Sequence, residues 1–225
     1  MQFNIITLFP DIINTYCELG IVGRACREER LKVNTVDLRT FGLGRHKQVD
    51  DLPYGGGVGL VFMVEPIFNA LKSIERKNKS KVLITSASGE KWDQNFVRKL
   101  KVEEQIIIIC GRYEGYDERI NNFIDYEVSL GDFILTGGEL CALSVIDSVS
   151  RFVSGVLKKE ETHEVESFTN GLLEYPQYTR PQEFNKLKVP EVLLSGHHGE
   201  IKRWREEQAK IKTKKNRPDL ISDKN

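Results

Sequence analysis

Three glycine-rich segments hold the residues best placed by type to act on a bound ligand. Pro53-Tyr54-Gly55-Gly56-Gly57-Val58-Gly59 carries four glycines in five positions. Such a run loses much backbone freedom on folding, so it normally means that the chain takes up positive φ or that something approaches it closely. It is not a Walker loop, because no Gly-Lys-Ser/Thr follows. Nor is it a dinucleotide fingerprint, since the G-x-G-x-x-G order and the preceding strand are missing; a plain surface loop is the competing reading. Cys110-Gly111-Arg112-Tyr113-Glu114-Gly115 follows the most apolar run of the chain, and in open α/β sheets ligands bind outside the carboxyl ends of strands. Pairing of Arg112 with Glu114 in a solvated turn is the alternative there. The segment from Ser129 to Glu139, SLGDFILTGGE, delivers glycines to a helix start, where unpaired backbone N–H groups can hold an acceptor-rich ligand.

The elements that position these loops follow from periodicity. Phe3 to Leu8 is β-prone, and after Pro10 the residues Ile12, Ile13, Tyr16 and Leu19 recur at helical spacing up to Gly20. Leu31 to Leu38 predicts a second strand and Phe41 to Gly59 a loop. Pro66 to Ile74 predicts a helix, Val82 to Thr85 a strand, and Phe96 to Leu100 a helix. Ile106 to Cys110 is continuously apolar, as a central strand covered on both faces requires. Leu140, Leu143, Ile146, Val149 and Val153 outline a helix after the third loop. This alternation implies an α/β domain with a mostly parallel sheet. Lys158 to Glu166, KKEETHEVE, has almost nothing to bury and reads as a mobile linker. Beyond it, Val189–Leu194 and His198–Lys215 predict helices.

Composition narrows the function. The chain has 225 residues, with 33 Lys plus Arg against 33 Asp plus Glu, so it is no bulk polycation; 40% hydrophobic and 29% charged residues suit a folded globular protein. Yet Ile201–Arg217 carries eight basic residues against two acidic ones around Trp204. A cationic, aromatic-bearing tail on a neutral protein fits phosphate tracking on folded RNA, with a solvated helix face as the plainer reading. The cysteines Cys17, Cys26, Cys110 and Cys141 form no C-x-x-C pair and read as buried thiols in a reducing compartment. His197-His198 lacks partners at ligand spacing, so no metal site is expected from it. The first twenty residues have no cationic leader and include Asp11, and no later run reaches membrane-spanning length. A cytoplasmic protein without membrane association is therefore expected.

PYGGGVG, CGRYEGYDER, SLGDFILTGGEL, IDSVSRFVSGVL, YPQYTRP and LLSGHHGEIKRWR, in this order, closely resemble the bacterial tRNA (guanine-N1)-methyltransferases of the TrmD type. The resemblance covers nearly the whole chain. It implies a SPOUT-type α/β fold: a parallel sheet with helices on both faces and a deep C-terminal trefoil knot, followed by a small helical C-terminal domain. Sequence pattern alone would not suggest a knot, because knots are so rare. The implied domains are a knotted methyltransferase domain over 1–157, a flexible linker over 158–170 and a tRNA-binding domain over 171–225. The resemblance further implies an obligate homodimer with the active site at its interface, S-adenosylmethionine as methyl donor, tRNA as substrate, and methylation at N1 of guanosine 37, directly 3′ of the anticodon. Magnesium use is also implied, though no local ligand cluster identifies a site for it.

Carried over residue by residue, the donor pocket falls on Thr85, Ser86, Gly111, Tyr113, Glu114, Ser129, Leu130, Gly131, Phe133, Leu135, Gly137 and Gly138. Tyr54, Gly55, Gly56 and Gly57 correspond to part of the guanine pocket, and Lys202, Arg203 and Arg205 lie in the cationic tail. Arg151 corresponds to the catalytic arginine and Glu166 to the general base, where the family usually has aspartate. Departures elsewhere are Ile84 for a common tyrosine, Ala87 and Cys141 for common prolines, and His197 for a common asparagine. On residue type alone, Glu166 is one more solvated acid and Arg151 a helix C-terminal charge. Two other readings stay open at this level: a tRNA-binding protein of the same fold with weak or lost catalysis, and a nucleotide-binding metabolic enzyme.

Overall fold

Isoleucine-rich runs far apart in the sequence become neighbouring strands. The computed structural model describes residues 1–158 and 166–222. The chain divides into two compact units, Met1–Glu160 and Glu161–Asn225. In the first unit the elements run β1 (Gln2–Thr7), α1 (Pro10–Cys17), α2 (Gly20–Arg27), β2 (Lys32–Asp37), β3 (Asp50–Asp51), β4 (Val61–Phe62), α3 (Val64–Lys72), β5 (Ser80–Lys91), α4 (Gln94–Leu100), β6 (Gln105–Ile109), β7 (Tyr126–Ser129) and α5 (Glu139–Ser150). The main sheet has five strands in the order β2-β1-β6-β5-β7, paired in parallel throughout. β6 is therefore central, and its residues Gln105–Ile109 are all buried.

The two faces of the sheet are separate cores, because successive strand side chains point to opposite sides. Phe3, Ile5, Leu83, Ile106 and Ile108 face one side, against Ile13 of α1, Ala25 of α2, Leu100 of α4 and Val145 of α5. Ile6, Ile84, Ile107 and Ile109 face the other, against Ile67 and Ala70 of α3. Helices thus cover both faces, as a parallel sheet requires.

Three departures from the sequence reading have local causes. The helix expected to end at Gly20 is followed at once by a second, α2: Gly20 adopts φ +60° and turns the chain instead of ending the helical region. The strand expected over Val82–Thr85 continues to Lys91, with a register shift between Thr85 and Glu90 against β7 that bulges Ser86–Gly89 outward. The polar composition of that bulge hid it. Within the expected loop of Phe41–Gly59, Asp50–Asp51 forms β3, which pairs with β4.

The second unit holds β8 (Glu183–Phe184), β9 (Leu187–Lys188), α6 (His198–Asn216) and α7 (Asp219–Ser222). Asn185 and Lys186 join β8 to β9 with φ of 49° and 66°, the positive values a tight hairpin needs. The helix expected over Val189–Leu194 is only a single 3-10 turn, Glu191–Leu194, after Pro190. Thr213 fixes α6 within this unit, accepting from Leu173 N at 2.8 Å while donating to Ala209 O at 2.6 Å. The linker expected over 158–170 lies in part, at 159–165, outside the described residues. Among the described residues no helix is long and apolar enough to cross a membrane.

Candidate functional site

β6, β5 and β7 are neighbours in the sheet, so their carboxyl ends bring three loops side by side. These are the bulge at Thr85–Gly89, the turn at Cys110–Gly115 and the segment Leu130–Gly138 that enters α5. Backbone and hydroxyl groups stitch them together. Gly111 N donates to Thr85 Oγ1 at 2.8 Å, and Gly138 N donates to Gly111 O at 2.8 Å. Gly131 N donates to Ser129 Oγ at 3.2 Å, and Trp92 N donates to Ser129 O at 2.7 Å. The glycines are a consequence of this closeness. A Cβ on Gly138 would lie 2.8 Å from Gly111 N and 2.9 Å from Thr85 Cβ, and one on Gly111 would collide with the Thr85 carbonyl.

Between the loops lies a cavity of about 460 Å³, within the range of small-molecule sites. Every position carried over for the donor lines it, together with Ala87, Ser88, Arg112, Gly115, Tyr116, Val128, Ile134 and Cys141. Its size and its glycine-cradled walls fit a small ligand. Burial pushes the Cys141 thiol up to about 11 and Cys110 well above its ordinary value, so neither is a thiolate at neutral pH.

A buried ion pair underlies the floor. Glu139, 3% exposed, accepts from Thr7 Oγ1 at 2.8 Å and pairs with Arg112 Nη2 at 3.4 Å. Arg112 also stacks over the Phe9 ring, 4.2 Å from its centroid. Sequence reasoning gave Glu139 no role beyond opening a helix. An acid at the first position of a helix is ordinarily solvated, so nothing local marked Glu139 as buried.

The other expected positions lie elsewhere. Gly55, Gly56 and Gly57 adopt φ of 86°, 78° and 144°, and a Cβ on Gly55 or Gly56 would meet open space. Here glycine serves conformation, not close approach. Tyr54 is fully exposed, and neither it nor Gly55–Gly57 lines the cavity. The end of that loop does reach the cavity wall: Gly59 packs on Glu114 Cγ, and Glu114 N donates to Leu60 O at 3.0 Å. Arg151 caps α5, its N–H donating to Asp147 O at 3.3 Å.

Glu166 belongs to the second unit, where its carbonyl accepts from Thr169 N at 3.2 Å. Lys202, Arg203 and Arg205 are exposed on α6. Arg205 lies over the Tyr175 ring at 4.7 Å, and Trp204 approaches Tyr178 at 6.4 Å between centroids. α6 thus shows cations interleaved with aromatic rings, a surface suited to phosphates and bases. Among the described residues, no group of three or more His, Cys, Asp and Glu side chains could hold a metal ion.

The family model described as tRNA (Guanine-1)-methyltransferase TrmD matches residues 1–223. A tRNA (guanine-N(1)-)-methyltransferase of Mycoplasma mycoides subsp. mycoides SC is 53% identical over 222 residues, covering 98% of this chain and 92% of that protein. The enzymes of the same name from Clostridium botulinum strain Langeland and Clostridium perfringens are 50% and 48% identical over 221 residues, covering 98% of this chain and 92% and 93% of theirs. A match over residues 1–223, including the three stitched loops, makes this chain a member of the tRNA (guanine-1)-methyltransferase family, TrmD.

Proposed function

We propose that the protein transfers a methyl group from S-adenosylmethionine to N1 of guanosine 37 of tRNA. The observation that carries this reading is the convergence, on the walls of one cavity, of all the positions that the family resemblance gives to the donor, drawn from three separate segments. Its walls are held in place by hydrogen bonds among their own backbone and hydroxyl groups, which suits recognition of a ligand without rearrangement. The donor supplies a methyl group on a positively charged sulfur and departs as a neutral thioether.

The chain's own residues must then make N1 reactive. Guanine N1 carries a proton and is a poor nucleophile at neutral pH, so a base must take that proton while a cation stabilises charge gathering on O6. Glu166 is the proposed base, accepting the N1 proton on its carboxylate, and Arg151 the proposed partner of O6. No covalent enzyme intermediate is needed; in-line alignment of the reacting atoms is the remaining demand. The cations of α6, with Tyr175, Tyr178 and Trp204, would position the tRNA backbone.

The deep trefoil knot, the homodimer with its active site at the interface and a cytoplasmic location belong to the same proposal.

Transfer of labelled methyl from S-adenosylmethionine to tRNA transcripts with guanosine or another base 3′ of the anticodon tests the reading. Incorporation should require the guanosine. Glu166→Gln and Arg151→Ala should each lower turnover by roughly 10²- to 10³-fold while sparing donor binding. Full turnover in either variant would remove that residue's role. Binding of tRNA without incorporation would favour a binding protein instead.

A further inference from the structure

Glu127, on β7, has no part in the donor positions discussed above, yet three hydroxyls of the cavity wall converge on it. Ser88 Oγ donates to Glu127 Oε1 at 2.6 Å, and Ser86 Oγ lies 2.9 Å from Ser88 Oγ. Because the Ser88 proton is committed to the carboxylate, the proton between the two serines comes from Ser86. Ser86 Oγ in turn accepts from Ser88 N at 3.2 Å. The Tyr116 phenol completes the set, reaching Asn121 Oδ1 at 3.0 Å and also bonding Glu127. A hydroxyl has one proton and two lone pairs. With the Ser88 proton on Glu127 and the Ser86 proton on Ser88, neither serine has a proton left for the cavity, and both can meet a ligand there only as acceptors.

The charges around the cavity point the same way. Arg112, a cation in the lining, is committed to Glu139 at 3.4 Å. Glu114 lines the cavity and Glu127 stands behind its hydroxyls, which leaves the surroundings net negative. Burial is the largest single influence on Glu127 and opposes its charge. The hydroxyls of Ser86, Ser88 and Tyr116 together outweigh it and hold the carboxyl below the usual glutamate value.

We propose that Glu127 is a positioning residue that makes the cavity prefer a net-cationic methyl donor over its neutral thioether product, acting through the hydroxyls of Ser86 and Ser88. This inference rests on the donor reading given under Proposed function. S-adenosylmethionine carries one net positive charge and S-adenosylhomocysteine none, so removing one negative charge from the wall acts on the first and not the second. Coulomb attraction between the Glu127 carboxylate and a cation in the cavity, screened by the solvent that reaches Ser88, corresponds to at most about a tenfold change in that preference.

The test is calorimetric titration of the full-length protein with S-adenosylmethionine, S-adenosylhomocysteine and sinefungin, which carries an ammonium where the methylated sulfur stands. In Glu127→Gln, affinity for the two cationic ligands should fall by up to about tenfold more than affinity for the product, and Glu127→Asp should restore part of the difference. An unchanged ratio, or equal loss for all three ligands, overturns the inference. Should the Gln variant fail to fold, Ser88→Ala, which removes a bulge hydroxyl without touching β7, should shift the ratio in the same direction; an unchanged ratio there also overturns it. Failure of the unmodified protein to bind any of the three overturns the donor reading, and this inference with it.

Discussion

Replacing Gly138 by alanine tests whether the stitched loops owe their form to backbone closeness. Gly138 has φ −81°, which any residue adopts, so the substitution brings no backbone strain of its own. The effect is purely steric. The new methyl would lie 2.8 Å from Gly111 N and 2.9 Å from Thr85 Cβ, and closer still to Thr85 Oγ1, where ordinary contact begins at 3.4 Å. Relief requires Thr85 Oγ1 to move by more than about an ångström and the loops to separate by about half an ångström, which overpacked sites resist. That movement strains two hydrogen bonds, Gly111 N to Thr85 Oγ1 and Gly138 N to Gly111 O, each 2.8 Å long. A buried donor left unsatisfied costs about 1–3 kcal/mol, and overpacking adds a similar amount. Reduced freedom of the unfolded chain returns only about 0.4–1 kcal/mol. The net loss is about 2–4 kcal/mol, or a fall in Tm of roughly 5–15 °C for a protein of this size.

Scanning calorimetry reads the stability, and titration with S-adenosylmethionine should show weakened binding in the same variant. Gly199→Ala is the control: it lies on α6 with nothing within 4 Å of the added Cβ, so it should be neutral or slightly stabilising. A Gly138→Ala protein melting within about 1 °C of its parent, with unchanged donor affinity, would refute the argument from closeness.

Glu139→Gln leaves the Arg112 guanidinium against a neutral partner on a mostly buried site and should cost about 3 kcal/mol, read as a lower midpoint in urea unfolding. Tyr16 donates to Asp147 Oδ2 at 2.6 Å, and that hydrogen bond, with burial behind it, pushes its phenol up to about 12 from 10.0. The folded protein therefore holds this proton longer than the unfolded chain does. The associated stability is fully present below the unfolded value and is lost as pH rises toward about 12; urea titrations across that window should show the loss, and Tyr16→Phe should abolish it. Replacing Lys202, Arg203 and Arg205 together by glutamine should weaken tRNA binding for all sequences alike. It should also flatten the salt dependence by about 0.7 per lost phosphate contact, and an unchanged slope in filter binding would exclude these cations from the interface.

Much of this arrangement was legible in the residues. The apolar run Ile106–Cys110 predicted a strand covered on both faces, and Gln105–Ile109 is the central strand. The family blocks identified the cavity-lining positions. Glu139 escaped notice because its significance depends on Thr7 and Arg112, which are distant in sequence and meet it only through the sheet order. The Ser86–Gly89 bulge escaped for a similar reason: Gly89 is required by the backbone of Val128 on the neighbouring strand, a long-range contact with no local signature. The glycine run at Gly55–Gly59 announced an unusual backbone. It could not say which glycines serve positive φ in open space and which, like Gly59, make room for a side chain.

The departures from the family pattern are best judged by which way each side chain points. Ile84, where tyrosine is common, is fully buried in the core on the α3 side and does not line the cavity. Its difference is thus one of core filling on the far face of the sheet. Ala87 and Cys141 do line the cavity, but they stand beside hydrogen bonds made by Thr85, Gly111 and Gly138, which involve no proline ring. Loop proline contributes by restricting the unfolded chain. Here the three-way stitch already restricts the folded one, and Cys141 is further held inside the buried face of α5. Ile84, Ala87 and Cys141 take no part in the hydrogen bonds that join the loops, whereas a Cβ at Gly111 or Gly138 would collide with Thr85, so the pocket's shape depends on those two glycines and not on prolines at 87 and 141.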